Sequence, residues 1–126
     1  MPASYYTFVD LFCGAGGMTQ GLLQAGLRPV ASVEVNPIAS ATHIKNFPDC
    51  HHFCDDIKNL NSQKLLAQIN SPEVHLVVGG PPCQGFSVAG KRDPNDPRNR
   101  LFREFVRIVS EIRPWYVVME LSLIHI

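Results

Sequence analysis

With 126 residues, the chain can build one hydrophobic core but not two domains of ordinary size. Its 11 basic and 11 acidic residues cancel, so no global field recruits an anionic polymer. No apolar run approaches the roughly 20 residues that span a bilayer, no signal segment is expected at the amino terminus, and the four cysteines fit a reducing, cytoplasmic setting better than a disulfide framework.

Residues 6–12 (YTFVDLF) are rich in aromatic and β-branched side chains and form the first expected strand. They run into Cys13-Gly14-Ala15-Gly16-Gly17, after which a helical pattern passes through Met18, Leu22, Leu23 and Ala25 until Gly26 stops it. Strand, glycine turn and helix make the nucleotide-binding opening of a doubly wound fold, because a backbone without Cβ atoms can approach a ligand closely. Gly14 and Gly16 supply the first half of G-x-G-x-x-G, but Thr19 stands at the last glycine's position. That disfavours a dinucleotide and fits an adenosine ligand lacking a pyrophosphate.

The second expected strand covers residues 29–35 (PVASVEV), with Glu34 near its end. An acidic residue about 20 positions past a glycine turn is where such folds hold ribose hydroxyls. Asn36 and Pro37 then read as an N-cap and a first-turn proline of a helix reaching about Asn46. A short third strand is expected over residues 51–54, and Asp56 just beyond it can accept from an adenine amino group or simply solvate a loop. Cys50-His51-His52-Phe53-Cys54 invites a zinc reading, with Cys13, Cys83 or His43 as further ligands. The cluster lacks a second closely spaced ligand pair, so no metal is expected. A third helix over residues 62–69, closed by Ser71-Pro72, precedes an apolar strand at residues 74–78.

That strand leads into Gly79-Gly80-Pro81-Pro82-Cys83-Gln84-Gly85-Phe86-Ser87. The two prolines stiffen the backbone and withhold two amide donors, so neither strand nor helix continues. Cys83 is thereby presented at the carboxyl end of a strand, the edge where α/β sheets collect ligands. A loop over residues 88–99 follows, and Lys91, Arg92, Arg98, Arg100, Arg103 and Arg107 form a basic cluster suited to phosphates or to a solvated helix face. Leu101, Phe102, Phe105, Val106, Ile108, Val109 and Ile112 recur at helical spacing as core packing. Residues 115–120 form the fifth strand, apolar enough for burial on both faces, with Glu120 at its end on the rim of Cys83. Strands alternating with helices imply an α/β fold with a doubly wound, mostly parallel sheet.

Asp10-Leu11-Phe12-Cys13-Gly14-Ala15-Gly16-Gly17 followed by Pro81-Pro82-Cys83-Gln84-Gly85-Phe86-Ser87, in that order and separation, resembles the DNA (cytosine-5)-methyltransferases across nearly the whole chain. The resemblance implies a Rossmann-like fold, S-adenosylmethionine as methyl donor and a cytosine flipped out of DNA as acceptor. It places Phe12, Gly14, Gly16 and Gly17 beside the methionine and ribose, Glu34 on the ribose hydroxyls, Asp56 and Ile57 at the adenine, and Pro82 and Leu101 in the pocket wall. Cys83 becomes the nucleophile, and Glu120 matches the first residue of the family's Glu-Asn-Val motif. After Glu120 this chain reads Leu121-Ser122-Leu123-Ile124-His125-Ile126 instead. The expectation is an amino-terminal part of a catalytic domain over residues 1–120, truncated after the fifth strand, with an atypical tail and no target-recognition region. Such a fragment is expected to be inactive alone and to self-associate through its fifth strand. An RNA cytosine methyltransferase and a non-catalytic cofactor- or metal-binding module are the alternatives.

Overall fold

A computed structural model describes residues 5–69, 73–82 and 99–121. Cys83, the loop carrying Lys91, Arg92 and Arg98, the Ser71-Pro72 helix stop and the tail beyond Leu121 lie outside the described residues. The elements run β1 (Thr7–Leu11), α1 (Gly17–Gln24), β2 (Arg28–Val33), α2 (Pro37–Asn46), β3 (His51–Phe53), a single 3-10 turn (Ile57–Asn59), α3 (Ser62–Gln68), β4 (Leu76–Gly79), α4 (Arg100–Ile112) and β5 (Tyr116–Met119). All pairings among the described residues are parallel, in the order β3-β2-β1-β4-β5. The chain winds outward from β1 to β3, then crosses back to place β4 on the other side of β1. The switch point between β1 and β4 leaves a crevice at their carboxyl ends.

Local chemistry explains the helix starts. Asn36 is extended, and its side-chain oxygen accepts from Ile38 and Ala39 N–H while Pro37 occupies the first turn. Asn61 caps α3 in the same way, through the N–H groups of Gln63 and Lys64. On β2, Phe8 faces Pro29 but Val9 faces Ala31, so one residue of β2 is left over next to a proline that has no N–H to give.

Alternation along the strands separates two interiors. Val9, Leu11, Ala31, Val33 and Val77 join Leu65, Phe105 and Ile108 in one apolar cluster beneath α3 and α4. Phe8, Leu76 and Val78 form a smaller one against Met18, Leu22 and Leu27 of the α1 side. The helical stripe read from the sequence does bury Phe105 and Ile108 completely, but Val106 is exposed. β5 departs from expectation: Tyr116, Val117 and Val118 are exposed, because it pairs with β4 alone among the described residues, and only Met119 packs against the apolar cluster under α4.

Candidate active site

The glycine turn starts with backbone that few side chains tolerate. Phe12 has a φ of 57°, in the left-handed region, and Gly14 and Gly16 follow at 57° and 111°. A non-glycine residue held there stores strain of the kind that collects at functional sites. Gly16 is required twice over: beyond its φ, a Cβ would collide with the Phe47 ring and lie 3.0 Å from His43 Cδ2. Helix α2 therefore packs directly beneath the turn.

Glu34, just past β2, ties this turn down. Its Oε1 accepts from Gly14 N–H at 2.9 Å, and its Oε2 accepts from Asn36 N–H at 2.9 Å. The remaining lone pairs of both oxygens are free in number for further donors. Asp56 caps the 3-10 turn, its Oδ1 accepting from Lys58 N–H at 2.9 Å and its Oδ2 lying 3.5 Å from Lys58 Nζ. Ile57 is buried directly behind it.

These groups meet. Phe12, Glu34, Asp56, Ile57, Pro82 and Leu101 share one cavity of about 290 Å³ at the carboxyl ends of β1, β2 and β4. Every one of them was singled out in the sequence, although they come from five separate segments. A volume near 300 Å³ with apolar walls and converging carboxylates is at the small end of the range for small-molecule sites. Gly14, Gly16 and Gly17 do not line it; they shape the turn at its edge. A wider depression of about 680 Å³ lies at the opposite rim, against Thr7, Arg28 and Pro29. That is the amino-terminal edge, where this architecture does not place its ligands.

Glu120 stands at the neighbouring position on the rim. Its N–H donates to Gly79 O at 2.9 Å, and its Oε2 lies 4.0 Å from where a Cβ on Gly80 would be. The carboxylate thus faces the backbone that leads into Pro81, Pro82 and Cys83. Gly79 itself has no room for a side chain: a Cβ would strike Leu11 O and lie 2.8 Å from Phe105 Cε2.

A buried polar network beneath the turn was not read from the sequence. Thr19 Oγ1 donates to Asp10 Oδ2 at 2.6 Å and lies 3.0 Å from His43 Nε2. Ser32 Oγ is 3.3 Å from His43 Nδ1 and 2.7 Å from His52 Nδ1, and His52 Nε2 reaches Ser40 Oγ at 2.8 Å. Burial pushes Asp10 up to about 6 and His43 down to about 4, and burial also lowers His52. Asp10 and Ser32, each one residue before the end of its strand, carry no local signal that sets them apart from solvated strand-end groups. Thr19, weighed only as a missing glycine, instead links Asp10 to His43.

Of the zinc candidates, Cys13, His43 and His52 do come together, with ligand atoms within 4.8 Å of one another. Both ring nitrogens of each histidine already have hydroxyl partners, and Cys54 is exposed and apart. Burial raises the Cys13 thiol, with Asp10 and Glu34 adding to the effect, and burial pushes Cys50 up to about 11. Neither is a thiolate at neutral pH, as a nucleophile must be. The basic cluster is also smaller than its sequence implied. Arg107 is engaged internally, by Glu104 at 2.6 Å, Glu111 at 2.8 Å and Ile57 O at 3.0 Å.

A parallel α/β sheet with a small, carboxylate-bearing cavity at its switch point defines the class: a doubly wound α/β domain. The particular family follows from comparison. The family model for C-5 cytosine-specific DNA methylases matches residues 6–121, and the chain belongs to that family. It is 47% identical over 117 residues to the Type II methyltransferase M1.HphI of Haemophilus parahaemolyticus, covering 90% of this chain and 32% of that protein. The Type II methyltransferase M.XorII of Xanthomonas oryzae is 44% identical over 114 residues, which are 89% of this chain and 27% of the relative. Among solved structures, a candidate DNA modification methyltransferase encoded within an E. coli prophage superposes with a TM-score of 0.79 at 35% identity, over 93% of this chain and 32% of that one. A Spodoptera frugiperda DNMT2 gives 0.69 at 30% identity, over 93% and 35%. The chain therefore spans about a third of the length of these relatives.

Proposed function

We propose that this chain carries the cofactor-binding and nucleophile-bearing part of an enzyme that methylates carbon 5 of cytosine in DNA. The observation that carries the reading is the single cavity uniting Phe12, Glu34, Asp56, Ile57, Pro82 and Leu101 at the switch point. Its chemistry suits S-adenosylmethionine: carboxylates to accept from ribose hydroxyls and from an amino group, and apolar walls for a purine. When bound, that cofactor supplies an electrophilic methyl group. Glu34 holds the ribose while fixing the glycine turn, and Asp56 with Ile57 meets the adenine. Gly14, Gly16 and Gly17 let the backbone pass close to the ligand.

Carbon 5 of cytosine is too weak a nucleophile to take a methyl group unaided. Cys83 is proposed to add through sulfur at carbon 6, which makes carbon 5 enamine-like, and to leave again after the carbon 5 proton is lost. Glu120, on the adjacent strand end, donates a hydrogen bond or proton at ring nitrogen 3. The flipped base arrives from DNA, whose backbone the basic residues after Cys83 contact without reading sequence. Among the described residues no helix is long and apolar enough to cross a membrane, and cytoplasmic action on DNA is part of the same reading. The exposed Tyr116, Val117 and Val118 of β5 are proposed to drive self-association at high concentration.

The deciding experiment is calorimetric titration with S-adenosylhomocysteine. The wild-type chain is expected to bind, and Glu34→Ala to lose roughly 1–3 kcal/mol of binding. Equal affinity for both proteins removes Glu34 from the site. For the nucleophile, a full-length enzyme carrying this sequence is treated with DNA containing 5-fluorocytosine, since fluorine cannot depart as a proton does. Mass mapping of an adduct to Cys13, Cys50 or Cys54 refutes Cys83.

A further inference from the structure

Asp56 and Ile57 sit where no strand holds them. β3 ends at Phe53, and the residues beyond it form a lone 3-10 turn. Local bonds give this turn its shape: Asp55 Oδ1 accepts from Asp56 N–H at 2.7 Å, and Asp56 caps Lys58. They do not fix where the turn lies relative to the cavity. Ile57 and the following Leu60 are buried in the apolar cluster, which is non-directional; the directional long-range tie is Arg107 of α4, fifty residues on, whose Nη2 donates to Ile57 O at 3.0 Å. The guanidinium is itself aimed by two carboxylates, Glu104 on Nε and Glu111 on Nη1. Glu111 Oε1 also accepts from Ser62 Oγ at 2.7 Å, anchoring the start of α3. The same helix α4 delivers Leu101 to the cavity wall.

We infer that Arg107 is a positioning residue for the purine end of the cavity: it sets the distance between the Asp56–Ile57 turn and the wall formed by α4. The inference rests on the nucleoside reading of that cavity and deepens it. Three donors of one planar group meet three acceptors in fixed directions, which an ammonium on a flexible stem cannot reproduce. A lysine at this position stays with the two carboxylates and gives up the Ile57 carbonyl. The fold is then retained while the turn is free to shift.

The test compares S-adenosylhomocysteine with its inosine counterpart, which carries oxygen in place of the adenine amino group. Dissociation constants for both are measured on wild type, Arg107→Lys and Glu34→Gln, alongside the thermal midpoint of each unliganded protein. Wild type is expected to prefer the adenine ligand. Arg107→Lys is expected to keep a midpoint close to wild type while its preference falls about three- to tenfold, the worth of one hydrogen bond. Glu34→Gln is expected to weaken both ligands alike and leave the preference unchanged. A lysine variant with the wild-type preference, or one that weakens both ligands equally, overturns the positioning role and leaves the nucleoside site standing. A wild-type chain that binds both ligands without preference also overturns the positioning role alone. No binding of either ligand by wild type overturns the site and the positioning role together.

Discussion

The two faces of the sheet are made from alternate residues of the same strands, yet their interiors are opposites. On β1, Val9 and Leu11 enter an apolar cluster with Leu65, Phe105 and Ile108, while Asp10 between them bonds Thr19. On β2, Ala31 and Val33 join that cluster, while Ser32 meets His43 and His52. The first face is held by apolar area removed from water, which is non-directional. The second has a smaller apolar cluster around Phe8, Leu76 and Val78 and adds to it hydrogen bonds, which fix orientation as well as distance. The directional face is the one that carries the glycine turn, where α1 and α2 must be held in register.

Breaking the apolar face has the largest expected effect. Phe105→Ala removes a completely buried ring and is expected to cost about 3–5 kcal/mol. Urea denaturation should give that loss at every pH from 4 to 8, since no titrating group is involved. A pH-dependent loss contradicts the separation of the two faces.

The polar face responds to pH instead. Asp10 titrates near 6 when folded, against 3.8 as its ordinary value. A raised carboxylate favours folding fully below its unfolded pKa and loses that contribution as pH rises through the folded one. Asp10→Asn keeps the acceptor for Thr19 without the charge, so at pH 8 it is expected to gain about 1–3 kcal/mol over wild type. The gain should vanish below pH 4. His43 is lowered from 6.5 to about 4, which has the opposite sign: stability is lost as pH falls between those values. The two dependences oppose one another in the wild type. Removing Asp10 should therefore leave a steeper climb in stability from pH 4 to 6.5, measured as urea midpoints.

Smaller changes sharpen the contrast. Thr19→Val keeps shape but withdraws the hydroxyl that offsets the burial of Asp10, with an expected cost of about 1–2 kcal/mol at pH 8. The cost should shrink at pH 4, where Asp10 is protonated. Ser40→Ala removes a hydroxyl that donates to Glu34 O at 3.0 Å and contacts His52 Nε2. It is expected to cost about 0.5–1.5 kcal/mol, and an unchanged urea midpoint would detach α2 from the anchoring of Glu34.

Much of this protein is determined by local pattern. Apolar runs bounded by glycine and proline, the Asn36-Pro37 start and the Gly14–Gly17 turn are each settled by nearest-neighbour sterics, so the strand and helix order was legible. Glu34, Asp56 and Glu120 were legible as rim carboxylates because a parallel sheet sends every strand end to one edge, whereas Phe12, Ile57, Pro82 and Leu101 were placed at the cavity only by the family resemblance. Tertiary structure alone decided which polar residues are buried. Asp10 looks like any strand-end carboxylate until Thr19 closes over it, and His43 looks like a surface residue of α2 until Ser32 and Thr19 face it. Arg107 reads as a solvated helix charge, with Glu104 three residues before and Glu111 four after, as neighbours on a helix surface allow. Only the fold brings Ile57 O within 3.0 Å of it. Partners fifty residues apart leave no mark in local spacing, since their meeting is set by how the sheet and helices pack.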